Sequence, residues 1–356
     1  MLVDSPPESP PESEQSAESL PLTVTRKRRT LRAAGLLVSV GVLLLVCAAG
    51  LAVGAKPMPL GDVWHGLFHN SGTGNDVIVA DVRLPRTVLG LLVGTALGLA
   101  GAVMQALTRN PLAEPGLLGV NAGAAAAVVS AISFFGVTSI GGYVWFAFAG
   151  AAIVSVLVYA IGGSRGATPV RLALAGTAAT AALFGYVNAV QLLDSAALDR
   201  LRFWTVGSLA SADMSTVGKV WPFIAAGVVL ALLIARPLNA MEMGDDTARS
   251  LGAHLTRTRV LAMLSVTLLC GGATAACGPI VFVGLMVPHL VRAITGPDMR
   301  WILPYAAVLS PVLLLGADVI GRVVARPAEV QVGIVTAIIG GPVFIQLVRR
   351  KRMAQL

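Results

Sequence analysis

Two polar side chains lie inside long apolar runs of this sequence, where they could take part in transport. Gln105 lies about two helical turns beyond Gly98, and Asp318 is a carboxylate deep in the apolar run LLLGADVIGR. Such groups are costly inside a membrane, so they are usually paired or functional. Gln105 therefore makes an interhelical hydrogen bond or lines a polar path. Asp318 pairs with a nearby arginine or helix terminus, or lines the path as well.

The sequence contains none of the motifs typical of an enzyme site. Its lysines do not complete the phosphate loop GxxxxGK[ST], and the motifs HExxH and GxSxG are absent. The four histidines do not have the spacing of zinc ligands. We therefore expect no catalytic residue, no metal site and no cofactor, so that energy for uphill transport would come from other proteins.

The composition predicts an all-α integral membrane protein. Hydrophobic residues make up 56% of the chain and charged residues 12%, and the mean hydropathy is +0.80. This leaves too little polar surface for a soluble globule. At roughly 20 apolar residues per membrane span, about ten segments qualify. They are Leu31 to Gly54, Leu84 to Leu107, Leu117 to Phe135, Tyr143 to Ile161, Arg171 to Leu192, Val217 to Ala235, Val260 to Gly278, Ile280 to Ile294, Trp301 to Val324 and Val332 to Val348.

The distribution of basic residues predicts the orientation of these spans. An even number of spans places both termini on one side, and roughly two thirds of the Lys and Arg fall on that side, which the positive-inside rule assigns to the cytoplasm. We expect a multi-pass protein of the bacterial plasma membrane with cytoplasmic termini. Since the basic residues sit at membrane edges and form no stripe with aromatic residues, nucleic-acid binding is not expected.

The chain divides into a membrane domain and two short ends. Residues 1–30 form an acidic, Pro-rich arm that ends in a basic cluster, and its composition predicts disorder in the cytoplasm. Residues 31–350 form the transmembrane domain. Residues 351–356 are a cytoplasmic tail.

Two patterns within the spans predict how the helices pack. Gly90, Gly94 and Gly98 recur at every fourth position, a ridge of small residues that lets helix backbones approach closely. The hairpin RNPLAEPGLLGV and the later segment GPIVFVGLMVPHLVRAITGP both interrupt apolar runs with Pro and Gly. Interrupted spans in both halves suggest inverted repeats, with a pathway at their interface.

Two further segments lie outside the predicted spans. Gly244 to Gly252 is expected to form a short amphipathic helix that exposes Asp245, Asp246 and Arg249 and has Ala248 and Leu251 on its apolar face. It would be either a lever for a partner protein or a surface turn. At the other membrane face, a second group of residues is expected to be exposed, either docking an acidic partner or anionic solute or anchoring the interface. This group is Arg83, Arg86, Arg322, Arg326 and the segment Asp199 to Leu209.

Several linked motifs stand in an order and spacing that resemble one known family. They are RLPR, GLAGAVMQALTRNPLAEPGLLGVNAGA, LRFWTVGSL, GDDTARSLG, GPIVFVGLMVPHLVR, GADVIGR and IGGPVFIQLVRR. Over about Ala55 to Arg350 the chain resembles the permeases of iron-siderophore and cobalamin ABC importers, and within that family the ferric-enterobactin type.

The resemblance implies a type II importer permease fold that dimerises around a central pathway. It implies two cytoplasmic ATPase subunits below the membrane and an extracytoplasmic binding protein above it. The residues implied in docking glutamates of the binding protein are Arg83, Arg86 and Arg322. The residues implied in ATPase coupling are Asp245, Ala248, Arg249, Leu251 and Gly252. The pathway candidates are Gln105, Asn121 and Trp204.

The implied cargo is an iron(III)-siderophore, with haem or cobalamin as alternatives. A paralogous second permease subunit is favoured over a second copy of this chain. An ion-coupled secondary transporter is the alternative of a different class, and it is disfavoured because the sequence lacks a network of intramembrane carboxylates and contains the coupling segment.

Overall fold

The computed structural model describes residues 22–54, 56–69, 71–72, 74–137, 139–163 and 169–353, and these form helices without any β-strand. Most of the predicted arm lies outside the described residues. The helices are α1 (Leu22–Ala52), α2 (Leu60–Phe68), α3 (Gly74–Val77), α4 (Leu84–Thr108), α5 (Val120–Phe135), α6 (Ile140–Gly163), α7 (Pro169–Leu193), α8 (Ser195–Trp204), α9 (Met214–Leu233), α10 (Ala235–Glu242), α11 (Asp245–Ser250), α12 (Leu255–Cys277), α13 (Val283–Thr295), α14 (Met299–Val324) and α15 (Val332–Met353).

Each predicted span coincides with a helix, which confirms the all-α membrane fold. Among the described residues, 7 helices are long and apolar enough to cross a membrane by themselves. The remaining predicted spans fall on shorter apolar helices, namely Val120–Phe135, Val283–Thr295 and Val332–Gln346. The short span that the sequence predicts after Pro279 is therefore α13, which begins only at Val283.

Helices α4 and α12 form the centre of the bundle. In their most apolar stretches, 78% of α4 residues and 72% of α12 residues are buried, against 6% in α1. These two helices pack against each other, α14 covers a second side of α4, and α9 covers α12. Because α4 is 25 residues long, it extends about 37 Å along the bundle. One rigid element therefore connects the two ends of the molecule.

The glycine ridge of α4 confirms the predicted close packing. A Cβ atom added at Gly94 would lie 2.5 Å from the Cα of Pro311, and one added at Gly98 would overlap the Oγ of Ser310. Both neighbours are on α14. Only a residue without a side chain permits this approach, in which α4 and α14 gain dispersion contacts along their length.

A π-helical turn, Ile78–Arg83, leads directly into α4. Its wider hydrogen-bonding pattern is seen where the N–H of Leu84 donates to the carbonyl of Val79. The next residue, Pro85, has no N–H to donate and its ring would crowd a regular α-helical carbonyl. The π turn absorbs this defect, and it sets Arg83 and Arg86 on one face of the helix.

The two Pro- and Gly-rich interruptions both follow a central helix. After α4, the chain turns through a 3₁₀ helix, Pro115–Leu118, before α5 begins. After α12, residues 278–282 are non-helical and Phe282 adopts a left-handed conformation at φ 69° before α13. The predicted pattern of a long helix, a break and a short helix is thus present in both halves, and the inverted relation of the halves stays a prediction.

Candidate functional site

Arg86, in the first turn of α4, binds two carboxylates that come from distant parts of the chain. Its Nη2 donates to Oδ1 of Asp318 at 2.7 Å, and its Nε lies 3.1 Å from both oxygens of that carboxylate. Its Nη1 donates to Oε2 of Glu329 at 2.7 Å. Arg322, one helical turn after Asp318, lies 3.1 Å from the other oxygen of Asp318. We call Arg86, Asp318 and Arg322 the outer triad.

Three of the arginines that the sequence predicted to be exposed, Arg83, Arg86 and Arg322, are buried. Arg326 is exposed as predicted. Arg322 donates to the carbonyl of Gly50 at 2.9 Å, and Arg83 donates to the carbonyls of Leu51 and Lys56. The chain at and just after the end of α1 thus folds over the guanidinium groups and accepts hydrogen bonds from some of their N–H donors. The buried Nε of Arg322 has no hydrogen-bond partner among the described residues. Exposure was the wrong expectation because these carbonyls and carboxylates, which come from other elements, cannot be located from the sequence around RLPR.

Asp318 has the paired role that was one of its two predicted alternatives. It is 1% exposed and is shared between Arg86 and Arg322. A carboxylate is stable at such a site only because both oxygens accept charge-assisted hydrogen bonds. Glu329 is different, since 32% of its side chain is exposed, and it closes the outer triad toward solvent.

A second group of ion pairs lies at the opposite end of α4. Arg109, which follows the last residue of α4, pairs with Oδ1 of Asp245. Arg259 of α12 pairs with Oδ2 of the same carboxylate at 2.7 Å. The side chain of Asp245 is 33% exposed. We call Arg109, Asp245 and Arg259 the inner triad; it repeats the arrangement of one Asp between two Arg in a more open setting.

The segment Gly244 to Gly252 contains a short helix, α11, but its faces differ from those predicted. Asp245 was expected to be exposed, but its side chain pairs with the two arginines of the inner triad. Leu251 was expected on the apolar face, but it is 64% exposed. Ala248 is buried. Asp246 and Arg249 are exposed as predicted and pair with each other at 3.0 Å. The helix therefore presents Arg249, Leu251 and Gly252 outward, while Asp245 and Ala248 face the bundle.

One pathway candidate, Asn121, lines a cavity of about 460 Å³. Its Oδ1 accepts a hydrogen bond from Thr274 of α12 at 2.9 Å. The other polar residues of the wall are Glu114, Thr177, Thr180 and Thr205. Trp204 packs, partly buried, against the hydrophobic core, and the adjacent Thr205 reaches the cavity. A cavity with hydroxyl, amide and carboxyl groups on an apolar wall can contact a polar solute without binding it tightly.

Gln105 makes the interhelical hydrogen bond that was one of its two predicted alternatives. It is buried, and its Nε2 donates to the carbonyl of Leu285 on α13 at 3.0 Å, which is an interhelical hydrogen bond. It also lines a cavity of about 290 Å³ beside Arg109, Glu242, His289 and Arg292. The hydrogen bond to α13 is thus present, and lining of a transport path stays a prediction.

Sequence patterns did not indicate several of the residues that the structure brings to these sites. Glu114, in the loop after α4, lines the cavity with Asn121. Burial raises the pKa of its carboxyl group, while the backbone N–H of Phe282 opposes this shift by donating a hydrogen bond. Glu329, Arg109 and Arg259 were not assigned to any site either. A pattern within one segment could not identify them, because each acts through a partner far away in the sequence.

Comparison with known proteins identifies the family. The profile of the FecCD transport family matches residues 42–350. The ferric enterobactin transport system permease protein FepD of Escherichia coli is 47% identical over 327 residues, covering 91% of this chain and 96% of that protein. The probable siderophore transport system permease protein YfiZ of Bacillus subtilis is 38% identical, covering 87% of this chain and 93% of that protein.

A solved structure has the same fold. It is an inward-facing metal-chelate type ABC transporter, which superposes with a TM-score of 0.78 at 26% identity and covers 89% of this chain and 99% of that chain. On these grounds, this chain belongs to the FecCD transport family.

Proposed function

We propose that this chain is the membrane-spanning permease subunit of an ABC importer that moves an iron(III)-siderophore into the cytoplasm. The observation that carries the proposal is the similarity to a ferric enterobactin permease over nearly the whole chain. ATP hydrolysis in partner subunits supplies the energy, and the permease itself binds no nucleotide. Haem or cobalamin carried by the same machinery is the alternative cargo.

The orientation follows from the basic residues and from the partners. The inner triad and both termini face the cytoplasm, where the ATPase subunits bind, and the outer triad faces the extracytoplasmic binding protein. Helix α1, which is largely exposed on the bundle, faces membrane lipid in the cell membrane. A second permease subunit, a paralogue in preference to a second copy, completes the pathway, and no nucleic acid is involved.

Asn121 and Gln105 are proposed to line the route of the cargo. Each lines a cavity and is also tied to a neighbouring helix, Asn121 to Thr274 and Gln105 to Leu285. Movement of those helices would therefore change the shape of the wall. Trp204 is proposed to act beside the larger cavity through the adjacent Thr205.

Docking of the binding protein is proposed to occur at Arg83, Arg86 and Arg322. Because Glu329 covers Arg86, an incoming glutamate must first replace it. We expect Glu329→Gln to tighten docking of the binding protein about tenfold, the effect of removing one competing charge at a buried arginine. The dissociation constant measured at two salt concentrations tests this. Weaker docking by the Gln variant would show that Glu329 supports the interface.

ATPase binding is proposed to use the outward side of α11. We expect Arg249→Glu to abolish co-purification of the ATPase subunits, because it reverses the charge of an exposed contact. Arg202→Glu is the matched control, since Arg202 also pairs with an exposed aspartate three residues earlier. If both variants co-purified equal amounts of the ATPase subunits, Arg249 would not be part of the contact.

Transport itself is tested in proteoliposomes that contain both permease subunits, the ATPase and the binding protein. We expect uptake of ferric enterobactin, or of another ferric siderophore in a panel, only when ATP is hydrolysed. If haem or cobalamin were transported in preference to every ferric siderophore, the cargo would be assigned as haem or cobalamin instead. Uptake driven by an ion gradient without the ATPase would support the secondary transporter instead.

A further inference from the structure

Asp245 is the side chain that ties α11 to the two central helices. One of its oxygens pairs with Arg109 at the end of α4, and the other pairs with Arg259 near the start of α12. A carboxylate that bridges two guanidinium groups is held in position and in orientation. Both oxygens of this carboxylate are therefore already paired within the chain.

The backbone on both sides of α11 favours movement of the helix as a unit. Gly244 at φ 110° and Gly252 at φ 80° flank it, and a Cβ atom added at either glycine would meet no neighbour within 4 Å. These conformations are accessible to glycine at little cost. Ala248 packs into the core from the middle of the helix. The ion pairs of the inner triad thus orient a short helix that is flanked by two glycines.

The two helices that receive this tie are the most buried long helices of the described bundle. A displacement delivered to α4 and α12 moves the residues that line the cavities, since Gln105 is on α4 and Thr274, the partner of Asn121, is on α12. Packed cores transmit such displacements because they resist compression.

From this geometry we infer that Asp245, with Arg109 and Arg259, is a positioning residue that transmits the movement of α11 to the cavity wall. The inference rests on the proposed function, in which ATPase subunits move α11. It differs from the role implied by the family resemblance, in which Asp245 itself seats in the ATPase. The ATPase subunits bind the exposed side of α11, and Asp245 transmits the displacement of α11 to α4 and α12.

The test compares Asp245→Asn with Asp246→Asn in the complete reconstituted transporter. Both substitutions remove one negative charge from α11, but Asp246 is 99% exposed and pairs only locally with Arg249 among the described contacts. We expect Asp245→Asn to retain the ATPase subunits on co-purification and to lower cargo transported per ATP hydrolysed about tenfold, a typical size for an allosteric coupling. The ratio for Asp246→Asn should equal that of the wild type.

A second pair of variants covers the case in which Asp245→Asn fails to fold. Arg259→Gln removes one tie and should lower the same ratio, whereas Arg259→Lys keeps the charge and should recover part of it. A wild-type ratio in Asp245→Asn or in Arg259→Gln would overturn the inference. Loss of ATPase co-purification in Asp245→Asn but not in Asp246→Asn would also overturn it, since Asp245 would then be a contact.

Failure of the proposed function would give a different result. In that case the wild-type complex itself would show no ATP-dependent uptake of a ferric siderophore, and no ratio could be defined. A wild-type complex that transports, with an Asp245→Asn variant that transports equally well per ATP, would leave the proposed function intact and refute only the role of Asp245.

Discussion

The two ends of α4 use the same arrangement of charges in different surroundings. At one end Asp318 lies between Arg86 and Arg322 and is 1% exposed. At the other end Asp245 lies between Arg109 and Arg259 and is 33% exposed. A buried ion pair is costly to break because it leaves an uncompensated charge, whereas an exposed pair is weakened by water and salt. The comparison indicates that the outer triad stabilises the fold strongly and that the inner triad contributes less to stability.

The largest expected effect is that of removing the buried carboxylate. Asp318→Asn leaves Arg86 and Arg322 side by side without their shared counter-ion, and we expect a loss of about 3 to 5 kcal/mol in the free energy of unfolding. Thermal unfolding of the purified protein in detergent measures this loss. Asp81→Asn, at an exposed position shortly before α4, is the control, and equal melting of the two variants would contradict the structural role of the outer triad.

The next effect concerns the helix between the two triads. Gly94→Ala would place a Cβ atom 2.5 Å from the backbone of Pro311, so α4 and α14 must separate. We expect a loss of about 1 to 3 kcal/mol, the usual cost of overpacking. Gly185→Ala is the control because a Cβ atom there has no neighbour within 4 Å. If the two variants have the same melting temperature, close packing of α4 against α14 does not hold the two ends of α4 at a fixed separation.

The carboxylate at the start of α14 allows a further test through pH. Asp298 caps α14 and accepts hydrogen bonds from the side chains of Arg300 and Asn239. Chiefly because of Arg300, the pKa of Asp298 is lowered to about 2. Its stabilisation is therefore complete above its usual pKa and is lost as the pH falls toward 2.

We expect Asp298→Ala to cost about 1 kcal/mol at neutral pH, the usual effect of removing an N-cap. The difference in melting temperature between this variant and the wild type should shrink as the pH is lowered from 5 toward 2. A difference that grows with acid would show that Asp298 is not the stabilising anion at this site.

The smallest expected effect on stability is at the inner triad itself. Asp245→Asn should lower the free energy of unfolding by no more than about 1 kcal/mol, because its pairs are partly exposed. The loss should also diminish in high salt, which screens exposed charges more than buried ones. A loss as large as that of Asp318→Asn, and insensitive to salt, would make the two ends equivalent.

The sequence predicted the helices well because long apolar runs determine them almost alone. It also predicted the packing of Gly94, since the spacing of small residues along one helix face is a local property. The pairing of Asp318 with Arg322 is likewise local, being four positions along the same helix.

The pairs that join distant segments could not be predicted in the same way. Asp318 and Arg86 are separated by more than half of the chain, so no pattern near RLPR indicates that Arg86 is buried. The orientation of α11 depends on Arg109 and Arg259, which belong to other helices. An amphipathic pattern of six residues cannot show which polar residue faces inward when the interior contains its own charges.

The most direct measurement of the inner triad is the distance between spin labels attached at Ser250 and Leu112, which are both exposed. The labels are introduced in a chain in which Cys47 is replaced by serine. Ser250 reports on α11 and Leu112 on the end of α4. We expect the same narrow distance distribution in the nucleotide-free and ATP-trapped complexes of the wild-type triad, and a broad distribution in Asp245→Asn. A distribution that shifts between the two nucleotide states with the triad intact would contradict the claim that α11 and α4 move together.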